Sequence, residues 1–396
     1  MQRYDMQRLS RIIAFGYIAI CLAVLGGSFL LGPLGYAPFP LVKASIRPPV
    51  VVTIWYGSEK KEWFAAAKER FEAAQPVVNG RLVQIQLKSL GSREIAERVL
   101  QQDWRGETPP VVVSPSSALW LDALKVPIVS SGADAPRPLV LSPLVLVGWE
   151  ERAHVLWPNG PKNFWNDLQA ALANEGGWKA LGGSESWGPV KFGHTSPLTS
   201  NSGTQALILM AYGFLGKSSG LTGADVNNPA FEQWLRPIEG SVLSFNDSTG
   251  GFMDDFVRSG PPKYDFGIVY ENLALQSMAA ARQRQNQEMR IFYPPATLLS
   301  DHPYAIVDGA WVDADQRAAA AKFREYLVGR EAQTLALQFG FRPTDPNVSI
   351  STGDQNNPFT KYAPNGVQAT IAEQVEVPPA DVLNALIQLW QTKFRR

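Results

Sequence analysis

The folded body of the chain opens at Val50–Tyr56, an unbroken apolar run of the kind a strand buried on both faces requires. Gly57 and Ser58 interrupt it, and Glu59–Gln75 then carries Trp63, Phe64, Ala67, Phe71 and Ala74 at helical spacing. The pattern recurs. Leu82–Leu87 alternates as a strand, Ser89–Arg93 makes a turn around Gly91 and Ser92, and Glu94–Gln102 reads as a helix. Val111–Val113 is a short strand, with Ser114, Ser116 and Ser117 before a helical Ala118–Leu124. Repeated strand, serine-bearing turn and helix predict an open α/β sheet with ligand-facing turns at its carboxyl edge.

Leu139–Gly148 is a further apolar strand, interrupted by Pro143, and Phe164–Leu172 and Trp178–Leu181 are helical pieces. Lys191–Tyr212 passes from a strand-like start through a hydroxyl-rich turn into the apolar run Ala206–Tyr212. Ser202 with Gln205 three residues on has the form of a capping box, which predicts a helix starting at Ser202. Such a turn gathers N–H and O–H donors at the positive end of a helix dipole. It suits an anion or an oxygen-rich ligand, and equally a plain helix cap. Ser244–Gly251 is a second polar turn before helix Phe252–Ser259, and Tyr264–Tyr270 is a strand followed by helix Leu273–Ala281. Ile291–Pro294 and Ala305–Val307 form another extended passage. Asp315–Phe339 is expected as one long amphipathic helix stopped by Gly340 and Pro343, and Asp381–Phe394 as the last helix after a polar loop at 345–365.

Ahead of the body, Arg3, Arg8 and Arg11 precede Ile12–Gly32, which carries no charge. Its length suits a bilayer-spanning helix with residues 1–11 on the cytoplasmic side. A cleaved signal peptide is the alternative, since Val42-Lys43-Ala44 has a small-residue cleavage pattern, but that lies past Pro33, Pro38 and Pro40. Ile20 sits where a lipoprotein site at Cys21 would need a small residue. Either reading exports the body, tethered by the proline-rich segment 33–49.

At 396 residues the chain is long enough for two domains. A formal net charge of zero with 18% charged residues gives no basic surface for nucleic acid. One cysteine excludes an intramolecular disulfide, and His154, His194 and His302 have no ligand spacing, so neither metal nor cofactor is expected. Catalysis would need a nucleophile, a base and an orienting group. Ser196 follows His194 within one turn, where the two side chains seldom face each other, so no enzyme is expected and His194 and His302 read as structural.

GSEKKEW at 57–63, KFGHTSPLTSNSG at 191–203, YDFGIVYE at 264–271, DHPYAIVDGAW at 301–311 and FGFRP at 339–343 together resemble the extracellular solute-binding proteins of bacterial ABC transporters. Within these, the pattern is similar to the molybdate- and sulfate-binding branch. The resemblance implies a type II periplasmic-binding-protein fold: two α/β domains, residues 50–138 with 304–396 and residues 139–303, joined by crossovers at Leu139–Gly148 and about Ile291–Pro303. The ligand would sit between them and be captured by hinge closure. It further implies ligand contacts at Ser58, Gly91, Ser92, Ser200, Asn201, Ser202 and Tyr270, with Ser116 and Ser117 shaping the wall. Glu271 is the harder residue. Beside an oxyanion it must point away, meet a cationic part of the ligand or coordinate a metal centre of the ligand, and Asp247 raises the same question. Trp55 and Trp120 flank the first and third turns, as core or as a stacking surface. The implied function is capture of a small polar ligand, an oxyanion among the candidates, for an ABC permease. The alternative is a membrane-anchored scaffold or sensor of the same fold. Many relatives carry a von Willebrand A domain after the final helix. No DxSxS motif follows it here, so such a partner is expected as a separate protein.

Overall fold

The computed structural model describes residues 14–24, 26, 27 and 47–395. Within the expected span Ile12–Gly32, residues 14–24 are helical, and the rest of that span apart from 26 and 27 lies outside the described residues. Among the described residues no helix is long and apolar enough to cross a membrane.

Two sheets organise the body. In the first, β1 (Val50–Gly57) lies parallel between β2 (Arg81–Leu90) and β3 (Val112–Ser114). Strand Pro303–Ile306 returns antiparallel to β3 and also pairs with Arg137–Pro138. Burial on both faces explains the apolar run of β1, in which only Val51 is not fully covered. Tyr56 aligns with Ser89 on one side and Ser114 on the other, so the parallel strands end at one edge. Helices α1 (Lys61–Ala73), α2 (Ser92–Gln101) and α3 (Leu119–Ala123) start from that edge. The expected strand–serine turn–helix units are all present.

The second sheet is built on β4 (Val140–Trp149), expected as the first crossover. It runs antiparallel to β6 (Phe266–Tyr270), which is parallel to the short β5 (Phe192–Gly193). On its other side β4 pairs with Leu299–Ser300 and with β7 (Met289–Phe292). The apolar helix α4 (Asn201–Leu215) is buried over its first twelve residues. Around it lie α5 (Pro229–Ser241), α6 (Thr249–Ser259) and α7 (Glu271–Gln285).

Three expectations need correction. Helix α4 starts at Asn201, with Ser200 at the cap position but making no side-chain bond to the helix N–H groups, and the Ser202/Gln205 capping box does not form. Ser202 bonds instead to neighbouring hydroxyls, and Gln205 accepts from Ser300 Oγ at 3.1 Å. The expected long helix is two, α8 (Ala314–Val328) and α9 (Arg330–Gln338), separated by Gly329 in extended conformation. The last helix, α10 (Ala380–Lys393), expected with the first sheet, packs against α4 and the short helix Gly223–Val226 of the second. Trp390 fixes it there, its indole N–H donating to Glu239 Oε2 at 2.8 Å, and the same carboxylate oxygen lies 3.2 Å from His194 Nε2. His194 Nδ1 lies 2.8 Å from the Thr195 carbonyl, so this histidine is taken up by packing.

Candidate ligand cleft

The carboxyl edge of the first sheet faces the turns at the starts of α4 and α6. Ser58 follows β1, and its Oγ accepts a hydrogen bond from Gly250 N at 3.2 Å, across the cleft. Gly91 must be glycine for closeness: a Cβ there would stand 2.7 Å from the Thr199 carbonyl oxygen opposite. Ser92 opens α2 and is turned inward, its Oγ 2.9 Å from Ser116 Oγ and accepting from Ser116 N at 2.9 Å. Ser117 is used locally, accepting from Leu119 N. Trp120 is neither plain core nor an open stacking surface. Its indole donates to Asn201 Oδ1 at 2.9 Å and so bridges the two halves. Trp55 is core, fully buried with the Arg98 guanidinium 4.5 Å over its ring.

On the facing side, Asn201 also donates to the Tyr270 hydroxyl at 2.8 Å and reaches Ser300 Oγ at 3.5 Å. Ser202 lies 2.7 Å from both Thr195 Oγ1 and Thr249 Oγ1, and Ser200 3.2 Å from Thr249. These hydroxyls knit the turn at 195–202 to the start of α6. Tyr270 is fully buried, and burial pushes its phenol up, with the nearby Glu59 charge adding to the effect. The structure therefore gathers Ser92, Ser116, Asn201, Tyr270 and Ser300 at the inner end of the cleft. It places Ser58, Gly91, Thr199 and Gly250 where the two lips meet, and puts Ser200 and Ser202 one layer behind.

Glu271 is not in the cleft. Its carboxylate takes two hydrogen bonds from Arg342, each 2.6 Å, and a third from the Tyr293 hydroxyl. Burial pushes the Glu271 carboxyl up and Arg342 opposes it. Since β-strand side chains alternate and a helix begins at 271, Tyr270 and its neighbour diverge, one into the cleft and one towards strand Arg342–Pro343. Asp247 is exposed at the rim, accepting from Thr199 Oγ1 at 3.1 Å.

A carboxylate does reach the inner cleft, from a residue the sequence pattern marks only as the start of a helix. Glu59 is 3% exposed, and Lys60, its neighbour, is fully buried. Lys60 Nζ donates to Glu59 Oε1 at 2.5 Å and to the Pro115 carbonyl at 3.2 Å, and lies 3.3 Å from His302 Nδ1. Burial alone would raise the Glu59 carboxyl, but Lys60 and His302 carry it well below the ordinary carboxylate value. His302 has a left-handed backbone (φ 43°), and burial with the Lys60 charge holds its imidazole down to about 4. Helix α7 is tied to this cluster through Asn272 Nδ2, which donates to the Glu59 carbonyl at 3.1 Å. Outward from Ser58 and Glu59 a groove of about 760 Å³ runs between α1 and the pair α6–α7, past Gly250, Met253 and Leu273. No group of three or more His, Cys, Asp or Glu side chains that could hold a metal occurs among the described residues.

Comparison with known proteins bears on this geometry. The model of a family described as bacterial extracellular solute-binding protein matches residues 52–342. Two uncharacterized proteins of Mycobacterium tuberculosis, MT1884 of strain CDC 1551 and Rv1836c of strain H37Rv, are each 24% identical over 338 residues. That alignment takes in 79% of this chain and 46% of theirs, so the chain spans about half the length of the curated relatives it matches. Among solved structures, the sulfate-binding protein SubI of Mycobacterium tuberculosis H37Rv is 21% identical with a TM-score of 0.53, covering 83% of this chain and 94% of its own. The maltose/maltodextrin-binding domain MalE of Bdellovibrio bacteriovorus is 16% identical with a TM-score of 0.57, covering 87% and 94%. An ABC-transporter substrate-binding protein of Agrobacterium tumefaciens is 13% identical with a TM-score of 0.56, covering 88% and 95%. These structures share the fold, and their stated ligands differ in chemistry.

Proposed function

This chain belongs to the bacterial extracellular solute-binding proteins, and from that premise we propose that it captures a small polar solute between its two lobes and presents it to an ABC permease. Residues 50–138 with 304–343 would move as one lobe, and 139–303 with the C-terminal helix as the other. The body would lie outside the cytoplasm, held by the apolar segment 12–32. The observation that carries the reading is the meeting of helix-start turns from both lobes, with Ser58 to Gly250 and Trp120 to Asn201 as the cross-lobe bonds. Backbone N–H groups and hydroxyls at helix starts are suited to holding polar ligand atoms. Recognition would fall to Ser58, Gly91, Ser92, Asn201 and Tyr270, with Ser116 and Trp120 added by the geometry.

Thermal shift of the purified full chain against oxyanions, sugars, polyamines and amino acids tests this. One class is expected to raise the melting temperature, and Asn201→Ala to abolish the rise. Silence across the whole panel would overturn the proposal.

A second reading, a scaffold or sensor that kept the fold, is favoured by one feature. The inner cleft groups already satisfy one another, as Asn201 does with Trp120 and Tyr270. Affinity isolation from membranes separates the two: permease and ATPase subunits support transport, and other stable partners, a von Willebrand A domain protein among them, support the scaffold.

A further inference from the structure

We propose that Glu59 sets the ligand class of this cleft. Its Oε2 accepts a hydrogen bond from a hydroxyl or ammonium group of an uncharged or cationic solute at the inner end of the groove, and the same carboxylate keeps oxyanions out. The inference rests on the solute-binding reading and narrows it.

Four observations converge on Glu59. Both hydrogen bonds to its carboxylate, from Lys60 and His302, fall on Oε1, and among the described residues none falls on Oε2. Oε2 is not among the sealed, partnerless atoms of the described residues, so it keeps a face open to a donor that arrives from outside the protein. The missing donor has a place to come from, because Glu59 lines the groove that opens beside Ser58 and Gly250. The carboxylate also sits among the recognition groups. The point where a Gly57 side chain would begin is 2.6 Å from both Glu59 oxygens and 2.8 Å from Ser116 Oγ.

The ion pair is oriented. Lys60 has no exposed side-chain surface and does not line the groove; its ammonium is spent on Glu59 Oε1 and the Pro115 carbonyl, on the side of His302. What the pair shows to the cleft is its negative end. Lys61, Arg258 and Arg284 at the groove's outer walls outnumber Glu62 and Asp254 by one charge, but they stand in solvent-screened positions, so the carboxylate at the inner end acts on a bound solute at closer range. A charge repelled inside a protein is screened far less than one at the surface. An oxyanion among Ser58, Ser92, Ser116 and Tyr270 would be a near neighbour of that carboxylate, whereas a hydroxyl or ammonium would complete it.

Isothermal titration of the full chain with glucose, maltose, spermidine, sulfate and molybdate tests the assignment. Wild type is expected to bind a sugar or the polyamine at least tenfold tighter than either oxyanion. Sugar binding and spermidine binding distinguish the two sources of the donor. Glu59→Gln leaves Lys60 as an uncompensated buried cation, so it should weaken the donor ligand at least tenfold and bring in measurable sulfate or molybdate binding. If that variant fails to fold, Glu59→Gln with Lys60→Met removes both charges and should lose the donor ligand without gaining an oxyanion. Sulfate or molybdate bound preferentially by wild type would overturn the assignment and leave solute capture standing. So would a Glu59→Gln protein, or the double variant in its place, with wild-type selectivity. No binding by any probe would remove both.

Discussion

Replacing Arg342 by Met should expose how much of the join between strand Arg342–Pro343, β4 and α7 depends on one buried ion pair. Arg342 holds Glu271 through two 2.6 Å bonds and donates further to the carbonyls of Gln368 and Ala369, so it joins α7, β4 and the segment leading to the last helix. Glu271 has no exposed side-chain surface. Removing one partner of such a pair costs roughly 3–5 kcal/mol, because the other charge is left in a medium that cannot solvate it. The carboxyl has an escape, which is to take up a proton. From an unfolded-chain value near 4.3, neutralising it at pH 7 costs about 4 kcal/mol at about 1.4 kcal/mol per pH unit, so that figure caps the charge part of the penalty. The sign follows from a folded pKa raised above the unfolded one. The penalty is absent below the unfolded value and grows as pH rises. Urea unfolding of Arg342→Met at pH 5 and pH 7 should therefore show the variant about 2–3 kcal/mol closer to wild type at the lower pH. Glu271→Met with Arg342→Met should recover most of the loss at pH 7, since an apolar pair of similar volume replaces a buried ion pair at little cost. A single variant within 1 kcal/mol of wild type at pH 7, or a double variant no better than the single, would refute this account of Glu271.

Two further outcomes are expected. Gly91 has ordinary backbone angles (φ −67°, ψ 143°), so Gly91→Ala should fold normally while its Cβ, 2.7 Å from the Thr199 carbonyl, holds the lips apart. Small-angle scattering should give a larger radius of gyration than wild type, and an unchanged radius with unchanged circular dichroism would contradict the contact. His302 takes its proton near 4 when folded and near 6.5 when unfolded, so the unfolded chain binds more protons between those values and stability falls as pH drops from about 6.5 to about 4, by roughly 3 kcal/mol. His302→Asn, which tolerates the left-handed backbone, should flatten that fall in a urea-midpoint series, while the loss tied to Glu59 remains at lower pH. An equally steep fall in the variant would place the proton uptake elsewhere.

The parallel strands, their serine turns and the two-lobe organisation were legible because β1 and the helix after it obey simple periods, apolar throughout and then every three to four residues. Ser58, Gly91 and Asn201 were legible as turn residues at helix starts, and the structure brings all three to the lips or floor of the cleft. What failed had distant causes. Glu271 beside Tyr270 could not be turned away from the ligand on paper, because the residue that claims it lies seventy-one positions on, at Arg342. The break at Gly329 leaves no trace in the apolar pattern, which continues through Leu335 into α9. Glu59 resembled any acidic residue in a first helical turn. Its burial depends on Lys60 and His302 meeting it, and that meeting is made by the return of the chain at Pro303.

Helix α10 is clamped on the second sheet's side by Trp390 and Glu239, while β1 belongs to the first sheet, so positions 50 and 393 lie on different halves of the body. If the lobes move as proposed, opening the cleft would change the separation between position 50 and position 393. On the proposed function, occupancy of the cleft would be convertible into displacement between position 50 and position 393, which would make the body a lever as well as a receptor.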